Sequence, residues 1–211
     1  MKTVRLLEYG GQLVFNDVPT PTIARDEILV KIKSTAVNHL DLVKASGMAR
    51  QILPIDLPWI PGHEFSGVVE QIGSDVAACA PGDAVFGTSG MGAYAEYLAV
   101  KPAAIARKPS NLSFEEAASV PVAAQTAWQG IFTHGRLAKG QTILIHGGAG
   151  AVGAYAVQLA AQGEKEADDE GGSKKGAADD KETADAKDPS DAKDAPRAPP
   201  SKGTKPGADK S

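Results

Sequence analysis

Apolar and polar positions alternate with a period of two through most of the first hundred residues, which predicts strands over residues 3–9, 12–16, 28–37, 67–72, 84–86 and 93–100. The breaks between them carry turn chemistry: Gly10-Gly11, the stretch PTPTIARDE, Pro81-Gly82-Asp83 and Ser89-Gly90. Many short strands punctuated by Gly and Pro predict a barrel or sandwich. One helix is expected in this half, over residues 39–46.

The period then changes. Ser113-Phe114-Glu115-Glu116 has the form of a capping box, in which the Ser113 hydroxyl takes an orphan helix amide and Glu116 reaches back. The Ala-rich run that follows predicts one helix up to Pro121 and a second over residues 123–133. TILIH, at 142–146, is a short continuous apolar run of the kind found in a strand buried on both faces. It leads into a glycine turn and a helix whose apolar positions are Val152, Tyr155, Ala156 and Leu159, the opening of a βαβ unit.

Composition separates the end of the chain from the rest. After Leu159 there is no Val, Ile, Leu, Met, Phe, Trp, Tyr or Cys. Ala, Gly, Ser, Pro and mixed charges offer too little apolar area to offset the entropy of ordering a backbone, so residues 163–211 are expected to be a disordered tail. The net charge of −4 and the mixed signs of the tail argue against a nucleic acid or an acidic membrane surface as partner. The single cysteine, Cys79, excludes an internal disulfide and a four-thiolate metal site, and reads as a small buried or loop residue. The start, MKTVRLLEYG, lacks the unbroken apolar stretch of a signal peptide, and no run approaches the roughly 20 residues of a membrane span, so a cytoplasmic chain is expected.

Gly148-Ala149-Gly150-Ala151-Val152-Gly153 fits G-x-G-x-x-G between a buried-type strand and a helix. Small residues there let the backbone approach a pyrophosphate, with the helix amides and dipole facing the anion. A dinucleotide site also needs an acidic residue about 20 positions on, at the end of a second strand. Asp168 and Asp169 fall near that spacing, but no apolar strand leads to them and they read as solvated tail charge.

PGHEFSGVVEQIG at 61–73, GAYAEYLAV at 92–100, KPSNLSFEEAASVPVAAQTAWQGI at 108–131 and GQTILIHGGAGAVGAYAVQLA at 140–160 occur in that order. Together they resemble the medium-chain dehydrogenase/reductase superfamily, in particular its zinc-free quinone oxidoreductase branch related to zeta-crystallin, over residues 1 to about 162. The resemblance implies a mixed α+β and α/β chain. Residues 1–122 would form a GroES-like β-barrel catalytic domain, and residues 123–162 the first strand, glycine turn and helix of an incomplete NAD(P)-binding Rossmann domain.

The implied activity is hydride transfer from NADPH to a quinone, enone or other activated carbonyl. Asn38 and Asp41 would be the catalytic residues, Thr126 would contact the nicotinamide end of the cofactor, and Gly148, Gly150, Ala151, Val152 and Gly153 would hold the phosphates. No metal is expected, because zinc relatives place a Cys near the helix start where this chain reads Ala36-Val37-Asn38-His39. His63 and Glu64 alone make a poor zinc site, and His63 reads as a turn residue of the barrel. Tyr94 and Tyr97 read as barrel packing, and His134 and His146 as loop and strand-end residues.

The segments that would complete the Rossmann sheet and the dimer edge of a usually homodimeric family do not follow Gln162. Impaired activity is therefore expected, and the alternative is a non-catalytic GroES-like binding module or the product of an interrupted reductase gene. The expected partners are a small-molecule quinone or carbonyl, with no nucleic acid and no membrane.

Overall fold

The computed structural model describes the backbone of residues 1–171 and the side chains of residues 1–162. Two antiparallel strands open the chain, β1 (Lys2–Leu6) and β2 (Leu13–Asp17), with Val4 opposite Phe15. A five-stranded antiparallel sheet follows, made of β3 (Ile28–Thr35), β4 (Glu64–Ile72), β5 (Ala84–Thr88), β6 (Tyr97–Val100) and β7 (Ile105–Arg107). Its order is β6-β3-β4-β5-β7. Register shifts in β3 at Leu29/Val30 and Ile32/Ser34 mark bulges against β4, the device that bends a sheet towards closure. Bridges from Thr3 to Ala95 and from Leu6 to Trp59 tie the β1–β2 ribbon to the barrel.

The alternation in the sequence becomes a core. Ile28 and Val30 of β3, Phe65 and Val69 of β4, Val85 of β5 and Leu98 and Val100 of β6 are buried together with Ala93, and Cys79 packs partly buried against them. The strand expected over 3–9 stops at Leu6, and that expected over 93–100 begins at Tyr97. β4 begins three residues earlier than expected, at Glu64, because the segment 64–66 pairs with both Thr35 and Thr88 sides of the sheet. The short β7 was not foreseen; three residues are too few for alternation to register.

The first helix is as expected, α1 (His39–Ser46), closed by Gly47 in the left-handed conformation, with its N–H on the Lys44 carbonyl. The capping box also forms. At α2 (Phe114–Ala118) the Glu116 N–H donates to Ser113 Oγ at 3.1 Å and the Ser113 N–H to Glu116 Oε2 at 2.7 Å. Pro121 does not end a helix but starts one, α3 (Pro121–Trp128), where its missing N–H costs nothing. The chain then loosens into a π-helical turn over Gln129–His134, so the expected helix over 123–133 has two pitches.

The strand expected at 142–146 does not form. A strand needs a hydrogen-bonding neighbour, and among the described residues none pairs with this segment. Ile145 packs towards the helices, whereas Leu144 is 80% exposed. The final helix, α4 (Ala151–Gly171), runs beyond the end expected at Gln162, and the remainder of the expected tail lies outside the described residues. Ala156 buries against Ala127 and Ile131, flanked by Tyr155 and Leu159. Val152, expected on the same apolar stripe, is 40% exposed and lies outside this cluster. No helix among the described residues is long and apolar enough to cross a membrane.

Phe65 is fully buried at the centre of the barrel core. Phe65→Ala is expected to lower stability by about 3–5 kcal/mol, whereas Ser113→Ala, which removes only one cap, costs about 1 kcal/mol; urea unfolding of the two variants tests the ranking.

Candidate active site

Asn38 and Asp41 meet at the start of α1. Asn38 is extended, its carbonyl accepts the Asp41 N–H at 3.0 Å, and its own N–H donates to Asp41 Oδ2 at 2.9 Å. A carboxylate three residues into a helix commonly closes the first turn in this way. This one does more, because it is only 4% exposed and must satisfy both oxygens inside the protein. Oδ1 accepts the Gly62 N–H at 2.9 Å and His63 Nδ1 at 2.8 Å; Oδ2 also accepts the Tyr94 hydroxyl at 3.3 Å. Gly62 has to be glycine: its φ is +96°, and a Cβ would fall 2.6 Å from Tyr94 Cδ1.

The donors decide the charge. Burial pulls the Asp41 carboxyl up, but hydrogen bonds from His63, the Asn38 amide and the Gly62 amide outweigh it and hold the group below its ordinary value. Burial, followed by the adjacent Asp41 charge, pushes the Tyr94 hydroxyl well up, so it stays a donor. With Asp41 an acceptor, His63 carries its proton on Nδ1. Its Nε2 then faces Lys44 Nζ at 3.0 Å. His63 lies in the bend before β4, as expected of a turn residue, and its imidazole is in addition buried and oriented.

A second carboxylate joins this cluster to the next element. Glu64 is 2% exposed; Oε1 accepts the Asn38 side-chain N–H at 2.8 Å and Oε2 the backbone N–H of Val122 at 2.8 Å. One turn along α3, the Val122 carbonyl accepts the Thr126 hydroxyl at 2.6 Å. Asn38, Asp41 and Thr126 thus lie on one line of hydrogen bonds that runs from the barrel into α3. Thr126 is itself solvent-exposed.

The glycine turn has its own geometry. Gly147 has φ +72°, its carbonyl accepts the Gly150 N–H at 2.9 Å, and a Cβ on Gly153 would lie 2.1 Å from that same carbonyl. Close approach of helix and turn therefore requires glycine at 153. Gly148, Gly150, Ala151 and Val152 surround the first turn of α4, whose leading amides have no acceptor within the helix. That arrangement suits a bound phosphate.

Sequence reasoning weighed His63 and Glu64 only as zinc ligands, passed over Lys44 and gave Tyr94 only a packing role. The signal for Lys44 was present, since it follows Asp41 by three residues and such positions share a helix face. Glu64 offered none, because nothing local indicates that Val122 will lie opposite it. Among the described residues no three His, Cys, Asp or Glu side chains are grouped so as to hold a metal ion.

Residues 24–110 match the alcohol dehydrogenase GroES-like domain. The 2-methylene-furan-3-one reductase of Solanum lycopersicum is 37% identical over 172 residues, covering 76% of this chain and 44% of that protein. The structure of the quinone oxidoreductase from Coxiella burnetii is 37% identical with a TM-score of 0.70, covering 78% of this chain and 54% of that one. The quinone oxidoreductase from Thermus thermophilus, solved also in complex with NADPH, is 30% identical with a TM-score of 0.68, over 78% and 51%. A GroES-like barrel leading into a glycine turn is what this chain shares with these relatives. The chain belongs to the medium-chain dehydrogenase/reductase superfamily, among relatives of its quinone oxidoreductase branch. It spans about half the length of the relatives it matches.

Two outcomes follow from the buried carboxylates. Glu64→Gln can accept only one of its two donors well, and leaving the other unmatched is expected to cost about 1–3 kcal/mol, read as a lower urea midpoint. Because the folded Asp41 carboxyl ionises below its ordinary value of 3.8, its contribution to stability is complete above that value. As the pH falls further, the unfolded chain binds the proton first and the contribution is lost through the lower folded pKa. Asp41→Asn should remove that part of the acid limb, which stability measured against pH between about 5 and 2 would show.

Proposed function

We propose that this chain carries the barrel and the opening of the cofactor half of an NADPH-dependent oxidoreductase, acting on a quinone, enone or other activated carbonyl in the cytoplasm. The observation that carries this reading is the line of hydrogen bonds from Asn38 through Glu64 and Val122 to Thr126. It links Asn38, the expected catalytic residue, to Thr126, the expected contact to the nicotinamide end, which supports the reading.

NADPH supplies the hydride when bound. The residues of the chain hold and orient. The Asn38 side-chain N–H is committed to Glu64, which holds the amide group in a set orientation beside the head of α1. The Thr126 hydroxyl donates to Val122 and leaves its lone pairs towards solvent, able to accept from a carboxamide. The amides around Gly148, Gly150, Ala151, Val152 and Gly153 are suited to phosphate oxygens at the head of α4. A non-catalytic GroES-like binding module is the second reading, favoured by the exposed and unpaired segment 142–146, which is not held as a sheet strand is.

Titration with NADPH separates the two. Trp128 is 52% exposed and two residues from Thr126, whereas Trp59 is buried, so quenching should be lost in Trp128→Phe and kept in Trp59→Phe. Gly153→Val should abolish binding, as its side chain collides with the Gly147 carbonyl. Saturable quenching in the micromolar range, followed by quinone-dependent oxidation of NADPH, supports the reductase reading. A cooperatively folded chain that does not bind NADPH would leave the binding module.

A further inference from the structure

The reductase reading gives Lys44 no task, yet its amine is placed unlike those of the other lysines with a described partner. Lys101 donates to the Asp26 carboxylate at 2.5 Å, Lys108 donates to the Pro109 and Leu112 carbonyls, and Lys31 lies 5.9 Å from the centre of the Tyr97 ring. Carboxylate, carbonyl and ring hold an ammonium but are too weakly basic to take its proton. The partner of Lys44 is an imidazole nitrogen at 3.0 Å, whose other nitrogen is held at 2.8 Å by the buried Asp41 carboxylate. Carboxylate, imidazole and amine stand in the order orienter, base and nucleophile.

Only one arrangement of protons fits the lower half of this line. Asp41 accepts four donors and offers none, so His63 Nδ1 is protonated and one proton is shared between His63 Nε2 and Lys44 Nζ. Passing that proton to the imidazole creates a neutral amine without exchange with solvent, and the Asp41 charge stabilises the imidazolium that forms. Lys44 is half-buried, near the end of α1, so the amine remains reachable.

We propose that Lys44 is a nucleophilic lysine, activated by the His63–Asp41 pair, that captures aldehydes as a Schiff base. The ammonium proton moves to His63 Nε2, and the amine lone pair forms the N–C bond while the carbonyl π pair moves to oxygen. The oxygen takes the proton released from nitrogen, giving a carbinolamine. The imidazolium then returns its proton to the carbinolamine hydroxyl, which leaves as water, and the nitrogen lone pair closes the C=N bond. One ammonium and one aldehyde become one protonated imine and one water, with His63 neutral again and no change of oxidation state.

The test treats the full chain with butanal and sodium cyanoborohydride at neutral pH, the hydride reagent trapping the imine as a secondary amine, and follows each lysine by peptide mass mapping. Lys44 should be alkylated about a hundredfold faster than Lys2 and Lys33, the low end of what a positioned general base contributes. His63→Gln should bring it down to their rate, and Lys44→Arg should remove the fast-labelled peptide. Alkylation of Lys44 no faster than that of Lys33 in the unsubstituted chain overturns the proposal. That comparison needs neither a folded variant nor NADPH, so it stands apart from any failure of the reductase reading.

Discussion

A carboxylate removed from water has to be given donors, and the arrangement around Asp41 follows from that requirement. Its two oxygens draw in the Asn38 and Gly62 amides, the His63 ring and the Tyr94 hydroxyl. Those donors come from the head of α1, the approach to β4 and the loop before β6. One buried charge therefore ties the head of α1 to the barrel and fixes the tautomer of an imidazole. Glu64 repeats the logic one layer further out. Its two oxygens join the Asn38 side chain to the backbone of α3.

Much of this architecture was legible in the chain. Alternation at Ile28 and Val30 or Leu98 and Val100 reports burial directly, because side chains two apart on a strand share a face. Ser113 and Glu116 announced a helix start through spacing alone, and the glycines of 148–153 announced a turn through their small size. What escaped was long-range. His63 looked like no more than a turn residue because its carboxylate partner lies 22 positions away, and the short β7 exists only because Ala84–Thr88 provides an edge for it. Pro121 misled for a different reason: proline ends one helix or begins another equally well, and only the neighbouring structure decides.

The segment 142–146 shows the limit of local pattern most plainly. Its apolar run is that of a strand covered on both faces, and the pattern describes the environment for which such a run is suited. With no strand beside it among the described residues, the segment forms no ladder and Leu144 is exposed. The glycine turn that follows still forms, because its geometry depends on contacts between Gly147, Gly150 and Gly153 that are local to the chain. Local rules thus survive where the tertiary setting does not.

The bond between Glu64 and Val122 spans 58 positions. At a synthesis rate of about 5–20 residues per second, Val122 leaves the ribosome about 3–12 s after Glu64. Throughout that interval the nascent barrel has one carboxylate oxygen without the amide that will later satisfy it. Water must serve in its place until α3 arrives. The cluster at Asp41 can close as soon as Tyr94 is available, so the two halves of the site are completed in a fixed order set by the direction of translation.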